Sequence, residues 1–135
     1  MIGVVDTSAL LRLFVPDGSL PKGLKEFLAG VERGINAAIA PELLTAEAAN
    51  ALNKKRKLGE LSAQESKELL SDVLSVPIRL FPHRPILIRA FEMTQNTGLT
   101  IYDSLYLALA EEHGATIYSC DSTLCKMASR LGLTL

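Results

Sequence analysis

The chain begins Met1-Ile2-Gly3-Val4-Val5-Asp6-Thr7-Ser8-Ala9-Leu10, and the fold is decided in this stretch. Ile2 to Val5 is a short apolar run that reads as a buried strand. Asp6 ends it, and Thr7 to Phe14 reads as a helix stopped by Val15-Pro16-Asp17-Gly18. A buried strand that passes directly into a helix is one unit of an alternating α/β chain.

The same alternation continues outward from that unit. Pro21 suits the first turn of a helix running to about Arg33, with Gly34 as its stop. Ala37 to Ala40 is a weak strand candidate. Pro41 opens the next helix, which carries Leu43, Leu44, Ala48, Ala51 and Leu52 on one face and ends near Lys57-Leu58-Gly59. Ser62-Ala63-Gln64-Glu65 is a capping box that starts a helix to about Leu74. Pro77 to Phe81 reads as a strand, Arg84 to Asn96 as a helix closed by Gly98, and Thr100 to His113 as a helix ended by Gly114. Ala115 to Tyr118 is a strand and Ser122 to Leu131 a helix, with Gly132-Leu133-Thr134 as a last short strand. Apolar strands alternating with helices predict a parallel sheet covered on both faces.

Composition is consistent with this. At 135 residues the chain suits one domain, residues 1–135. Such a length buries enough surface to need no metal or disulfide staple. Apolar residues make up 48% and charged ones 21%, which excludes disorder and collagen. No apolar run approaches the roughly 18 residues of a membrane span. The formal net charge of −1 rules out nucleic-acid binding by bulk positive charge, so any such contact needs a local patch. The opening residues lack a basic n-region, so no signal peptide is expected. Cys120 and Cys125 match neither a disulfide framework nor a zinc spacing. A reducing, cytoplasmic setting is the expectation.

The acids are placed where chemistry happens. In open parallel sheets ligands bind beyond the carboxyl ends of the strands. Asp6 follows the first strand and Asp121 lies three residues after Tyr118. Each also precedes a helix, where Asp is a favoured N-cap. Glu47 falls within the apolar stripe of its helix, with Leu43, Leu44 and Ala51 on the same face. It lies at the stripe's edge, pairs with a lysine, or meets a cation. Asp103 is the third-position acid of Thr100-Ile101-Tyr102-Asp103, a capping-box pattern, and the helix dipole there keeps an acid ionised and fit to ligate a metal. Four converging carboxylates need a cation to neutralise them. An all-oxygen set suits Mg²⁺ or Mn²⁺, whose chemistry on phosphodiesters is hydrolytic.

Other charged groups read as surface. Lys54-Lys55-Arg56-Lys57 complements the dipole at a helix end or binds phosphate. Arg79, His83, Arg84 and Arg89 are scattered, His113 is a helix-end residue, and neither histidine has metal partners at ligand spacing. The two cysteines read as small buried hydrophobes. No Gly-rich phosphate loop or dinucleotide fingerprint is present.

Four segments, in order, resemble the motifs of PIN domains. Val4-Val5-Asp6-Thr7-Ser8-Ala9-Leu10 is similar to the opening motif, and Glu47 in Leu44-Thr45-Ala46-Glu47-Ala48-Ala49-Asn50-Ala51-Leu52 to the second acid. Tyr102-Asp103-Ser104-Leu105-Tyr106-Leu107-Ala108-Leu109-Ala110 resembles the third-acid helix, and Ile117-Tyr118-Ser119-Cys120-Asp121-Ser122-Thr123-Leu124 the last motif, with Ser119 where Thr is commoner.

The resemblance implies a three-layer α/β/α fold around a parallel sheet of four to five strands. It also implies a Mg²⁺- or Mn²⁺-dependent endoribonuclease, most like the VapC-type toxins of toxin–antitoxin pairs. Asp6, Asp103 and Asp121 would hold the principal metal and Glu47 would complete the set directly or through water, with Ser8 and Ser119 orienting carboxylates. RNA would be the substrate, a cognate antitoxin the partner and a homodimer the assembly. The implied antitoxin groove lies among the early helices, which carry Leu24, Phe27, Leu28, Val31, Leu43, Leu44 and Leu52. Mean hydropathy of +0.24 leaves apolar side chains for such a surface, although some must pack on the sheet.

Two rivals stand beside this reading. A phosphoacceptor receiver domain would need paired acids after the first strand and a lysine after a late one, where this chain has Thr7-Ser8 and Ser119-Cys120. A catalytically silent PIN-like module would bind RNA or a partner without needing all four acids.

Overall fold

A computed structural model describes residues 1–134. Strand β1 (Ile2–Val5) leads into helix α1 (Thr7–Arg12), then α2 (Leu24–Glu32), β2 (Ala37–Pro41), α3 (Leu43–Lys57) and α4 (Ala63–Leu74). Strand β3 (Ile78–Phe81) and a 3₁₀ turn at Arg84–Ile86 precede α5 (Leu87–Thr97), α6 (Ile101–His113), β4 (Thr116–Tyr118) and α7 (Ser122–Arg130). The four strands form one parallel sheet in the order β3-β2-β1-β4. Helices surround it, giving the three-layer α/β fold expected.

The core is aliphatic, as a chain with seven aromatics requires. Val4, Val5, Ile39 and Ile117 from the sheet meet Leu10, Leu44, Leu105, Leu109 and Leu124 from the helices. Helix α6 is the most deeply set, with every residue from Ser104 to Ala110 buried. Its ends are local in origin. Thr100 caps the start by accepting from the Asp103 amide, and Gly114 ends it at a φ of 58°, a left-handed conformation that favours glycine. The Ser62–Glu65 capping box is present with both reciprocal bonds.

Several boundaries differ from expectation. Pro41 does not open a helix. It is the last residue of β2, in register with Phe81, at a strand end where its missing N–H is tolerated. Helix α3 starts two residues later and is capped from outside the segment, the Leu43 amide donating to His83 Nε2 at 3.0 Å. His83 is therefore a helix cap rather than idle surface. Pro21 lies in a turn before α2, whose N-cap is Gly23 at a φ of 82°. Gly132-Leu133-Thr134 is not a strand. One bond, from the Ile117 amide to the Leu133 carbonyl at 2.7 Å, carries the chain past β4. Leu24, Phe27, Leu44 and Leu52 are buried, and Leu28, Val31 and Leu43 pack against the core. Leu28 also lines a hollow of about 260 Å³ with Leu13 and Val76. The most exposed apolar face is instead on α5, with Leu87, Ile88 and Phe91. Among the described residues no helix is long and apolar enough to cross a membrane.

Candidate active site

β1 and β4 end side by side. Val5 is in register with Tyr118, and the Asp6 amide donates to the Tyr118 carbonyl at 3.1 Å. Asp6 and Ser119 therefore leave the sheet together, at its carboxyl end. Asp6 is buried, and both its oxygens are bonded. Oδ1 accepts from the Ser8 hydroxyl at 2.7 Å and the Ala9 amide at 2.9 Å, and Oδ2 accepts from the Ser119 hydroxyl. The two seryl oxygens, 3.4 Å apart, also accept amide protons: Ser8 from Cys120 and Ser119 from Asp121, each at 2.9 Å. They thus tie the start of α1 to the turn entering α7. Asp6 is at once the N-cap of α1 and a buried carboxylate at the carboxyl end of β1. Burial pushes its carboxyl above the ordinary range. The Ser119, Ala9 and Ser8 bonds oppose that shift, and the charge of Asp121 adds to it.

Asp121 is exposed and caps α7, its Oδ1 accepting from the Leu124 amide at 3.0 Å. Asp103 lies in the first turn of α6, half-buried. Its carboxyl is also raised, by burial first and then by Asp121, against the Thr100 hydroxyl, with Glu47 adding further. The Thr100 hydroxyl accepts from the Asp103 amide at 3.2 Å, but among the described residues no return bond from Asp103 completes a capping box.

Glu47 pairs with no lysine among the described residues. Its Oε1 accepts from the Tyr106 hydroxyl at 2.7 Å and the Thr7 hydroxyl at 2.9 Å, and the two hydroxyls lie 3.0 Å apart. Burial, and then the charges of Glu47 and Asp6, hold the Tyr106 phenol far above its ordinary pKa, so it remains a donor. Thr7 and Tyr106 were not anticipated from the sequence. The available signal was position: Thr7 follows Asp6, and Tyr106 lies three residues after Asp103 on the same helical face.

The four acids thus act on one another through Asp6–Asp121, Asp103–Asp121 and Asp103–Glu47. Among the described residues, no three His, Cys, Asp or Glu side chains gather tightly enough to form a ready-made ion site. The donor set itself, all carboxylate oxygen under mutual repulsion, fits a hard divalent cation. The remaining candidates are structural. Cys125 donates weakly to the Ser119 carbonyl, and burial raises both thiols, which makes them poor nucleophiles. Arg89 forms a two-point ion pair with Glu111 at 2.8 and 3.0 Å. Arg79 stacks over Phe81, and His113 packs edge-on against the same ring.

Comparison with known proteins identifies the family and the fold. Ribonuclease VapC3 of Pyrobaculum aerophilum is 29% identical over 128 residues, covering 91% of this chain and 92% of that protein. Ribonuclease VapC12 of Mycobacterium tuberculosis is 28% identical over 125 residues, covering 91% and 89%. Among solved structures, PAE2754 from Pyrobaculum aerophilum superposes with a TM-score of 0.68 at 27% identity, covering 92% of this chain and 77% of that one. Mycobacterium tuberculosis VapC20, described as a sarcin-ricin loop cleaving toxin, shares the fold with a TM-score of 0.63 at 15% identity, over 94% and 95% of the two chains. The PIN domain model matches residues 3–129, nearly the whole length, and the chain belongs to the PIN domain family.

Proposed function

We propose that this chain, acting as a single domain, is a metal-dependent endoribonuclease of the VapC kind, the toxin of a toxin–antitoxin pair. The observation that carries the reading is the placing of Asp6, buried at the carboxyl end of β1 with Ser8, Ala9 and Ser119 bonded to its two oxygens, beside the turn that carries Ser119 and Asp121 out of β4. Burial first, with the charge of Asp121 adding to it, raises the carboxyls of Asp6 and Asp103, and a divalent cation would favour their ionised forms. Asp6, Asp103 and Asp121 are the principal donors, and Glu47 completes the set directly or through water. When bound, Mg²⁺ or Mn²⁺ would lower the pKa of a water and steady the charge of an in-line phosphodiester displacement. Ser8 and Ser119 hold both oxygens of Asp6, so its carboxylate enters the site oriented. Thr7 and Tyr106 hold one oxygen of Glu47 and leave Oε2 without a protein partner among the described residues. The relatives named ribonuclease support RNA as the substrate.

The same reading carries a cognate antitoxin as partner and a homodimer as assembly, with the exposed α5 face as support for an association surface. A catalytically silent RNA- or partner-binding module is the second reading, favoured by the open spacing of the acids.

The test uses the purified chain with RNA in chelator, Mg²⁺ and Mn²⁺, alongside thermal unfolding in the same buffers. Cleavage that requires the ion, with a rise in melting temperature as a native-state ligand produces, is the expected result. RNA binding without cleavage in any ion selects the silent module. Light scattering reads the assembly.

A further inference from the structure

Beside the acids lies a surface that the proposed hydrolysis uses only at Glu47. Tyr102 precedes Asp103 in the first turn of α6 and is 60% exposed, whereas Tyr106 is 2% exposed. Tyr102 walls an open hollow of about 340 Å³ whose other walls are Leu43, Ala46, Glu47 and Asn50 of α3. The hollow therefore shares Glu47 with the candidate active site. Leu43 and Ala46 make it apolar, and exposed Asn50 offers an amide that can both donate and accept. At 100° per residue, Lys54 and Lys57 lie on the same side of α3 as Glu47 and Asn50, about one and two turns beyond Asn50. Among the described residues neither lysine has an ion-pair partner. Lys55, by contrast, is bonded to Asp17 and Glu60, and Arg56 to Asn53. The surface thus runs from acids, through an aromatic-walled apolar hollow, to two free cations.

We propose that Tyr102 is a stacking platform for one base of a single-stranded RNA, and that Lys54 and Lys57 take the phosphates on the side away from the acids, so the strand enters along α3. The inference rests on the ribonuclease reading. A single strand alternates a flat apolar base with anionic phosphates, and that alternation matches this surface. Base–aromatic stacking is sequence-tolerant and changes affinity by roughly fivefold to a hundredfold.

Fluorescence anisotropy with a labelled single-stranded RNA in chelator tests binding apart from chemistry, and cleavage kinetics with Mn²⁺ run in parallel on the full chain. Tyr102→Ala and Tyr102→Leu should each weaken binding by roughly fivefold to a hundredfold and raise KM more than they lower kcat, while Tyr102→Phe retains wild-type affinity. Lys54→Gln with Lys57→Gln should flatten the dependence of log affinity on log salt by about 1.4. Unchanged melting temperatures would confirm intact folds at these exposed positions. Wild-type affinity in Tyr102→Ala, or full activity in Tyr102→Leu, overturns the platform. If the chain cleaves RNA and Tyr102→Ala cleaves it equally well, the platform falls and the ribonuclease reading stands. If binding depends on Tyr102 but no ion supports cleavage, the platform stands and the ribonuclease reading falls.

Discussion

The Tyr106 hydroxyl donates to Glu47 Oε1 at 2.7 Å, joining residues 59 positions apart. Thr7 adds a second donor to the same oxygen at 2.9 Å. Three helices, α1, α3 and α6, therefore converge on one carboxylate oxygen. An acid on the inward face of α3 is accommodated by two hydroxyl donors and, among the described residues, by no basic partner.

Tyr106→Phe should keep the buried ring and lose the donor. Stability should fall by about 1 kcal/mol, the net worth of one such bond. RNA cleavage should fall by roughly 10- to 100-fold, as when a residue supporting a metal ligand is removed. Thermal unfolding and initial cleavage rates, compared with Tyr106→Leu, separate the loss of the hydroxyl from the loss of packing.

Asp103→Asn removes charge at nearly constant volume. Cleavage should drop by on the order of a thousandfold, which corresponds to several kcal/mol of lost charge stabilisation. Circular dichroism should show the wild-type helix content. Wild-type cleavage by this variant, with contaminating nuclease excluded, would remove Asp103 from the mechanism.

The pH dependence of stability follows from the burial of two acids, with the charge of Asp121 adding to it. In metal-free buffer, Asp6 and Asp103 have folded pKa values above the ordinary 3.8. The folded state therefore binds protons more tightly than the unfolded chain at both groups. Their stabilising contribution is fully present below 3.8 and is lost as pH rises through the folded values. Asp103→Asn escapes its share of that loss. Its melting temperature relative to wild type should rise as pH goes from acid to neutral in chelator, and added Mn²⁺ should reverse the difference by stabilising only the wild type.

Ser104 is fully buried on α6, and its hydroxyl has no hydrogen-bond partner among the described residues. A buried hydroxyl without a partner is destabilising, and Ala is the better helix former. Ser104→Ala should raise stability by about 1 kcal/mol, read as a melting temperature several degrees higher. Cleavage should be unchanged.

Gly3 in β1 lies against a stacked pair of rings, Phe27 and Tyr118, whose centroids are 4.8 Å apart. A Cβ at Gly3 would sit 2.5 Å from the Phe27 ring and 2.9 Å from the Tyr118 ring. Gly3→Ala should therefore lower stability by about 1–3 kcal/mol through overpacking. Denaturant unfolding checks it, with a lower midpoint and an unchanged slope expected.

By itself the sequence determined whatever depends on neighbours within a few residues. The strand–helix alternation, the Ser62 capping box and the stops at Gly98 and Gly114 were legible because caps and turns are short-range. The positions of Asp6 and Asp121 after their strands were legible too, because a parallel α/β chain delivers the carboxyl ends of its strands to one edge. Tertiary structure decided the rest. Ala37 to Ala40 looked weak as a strand, and Pro41 looked like a helix start, yet β2 takes in all five residues between β1 and β3, where burial outweighs the low propensity of Ala and Pro. The α3 cap comes from His83, 40 residues away, and the donors to Glu47 from 40 and 59 residues away. Tyr102 and Tyr106 lie four apart on the same face of α6, yet only Tyr106 is buried, because the buried stretch of that helix begins at Ser104 and leaves its first turn to solvent. No local pattern encodes those meetings, since each depends on how separate helices dock on a shared sheet.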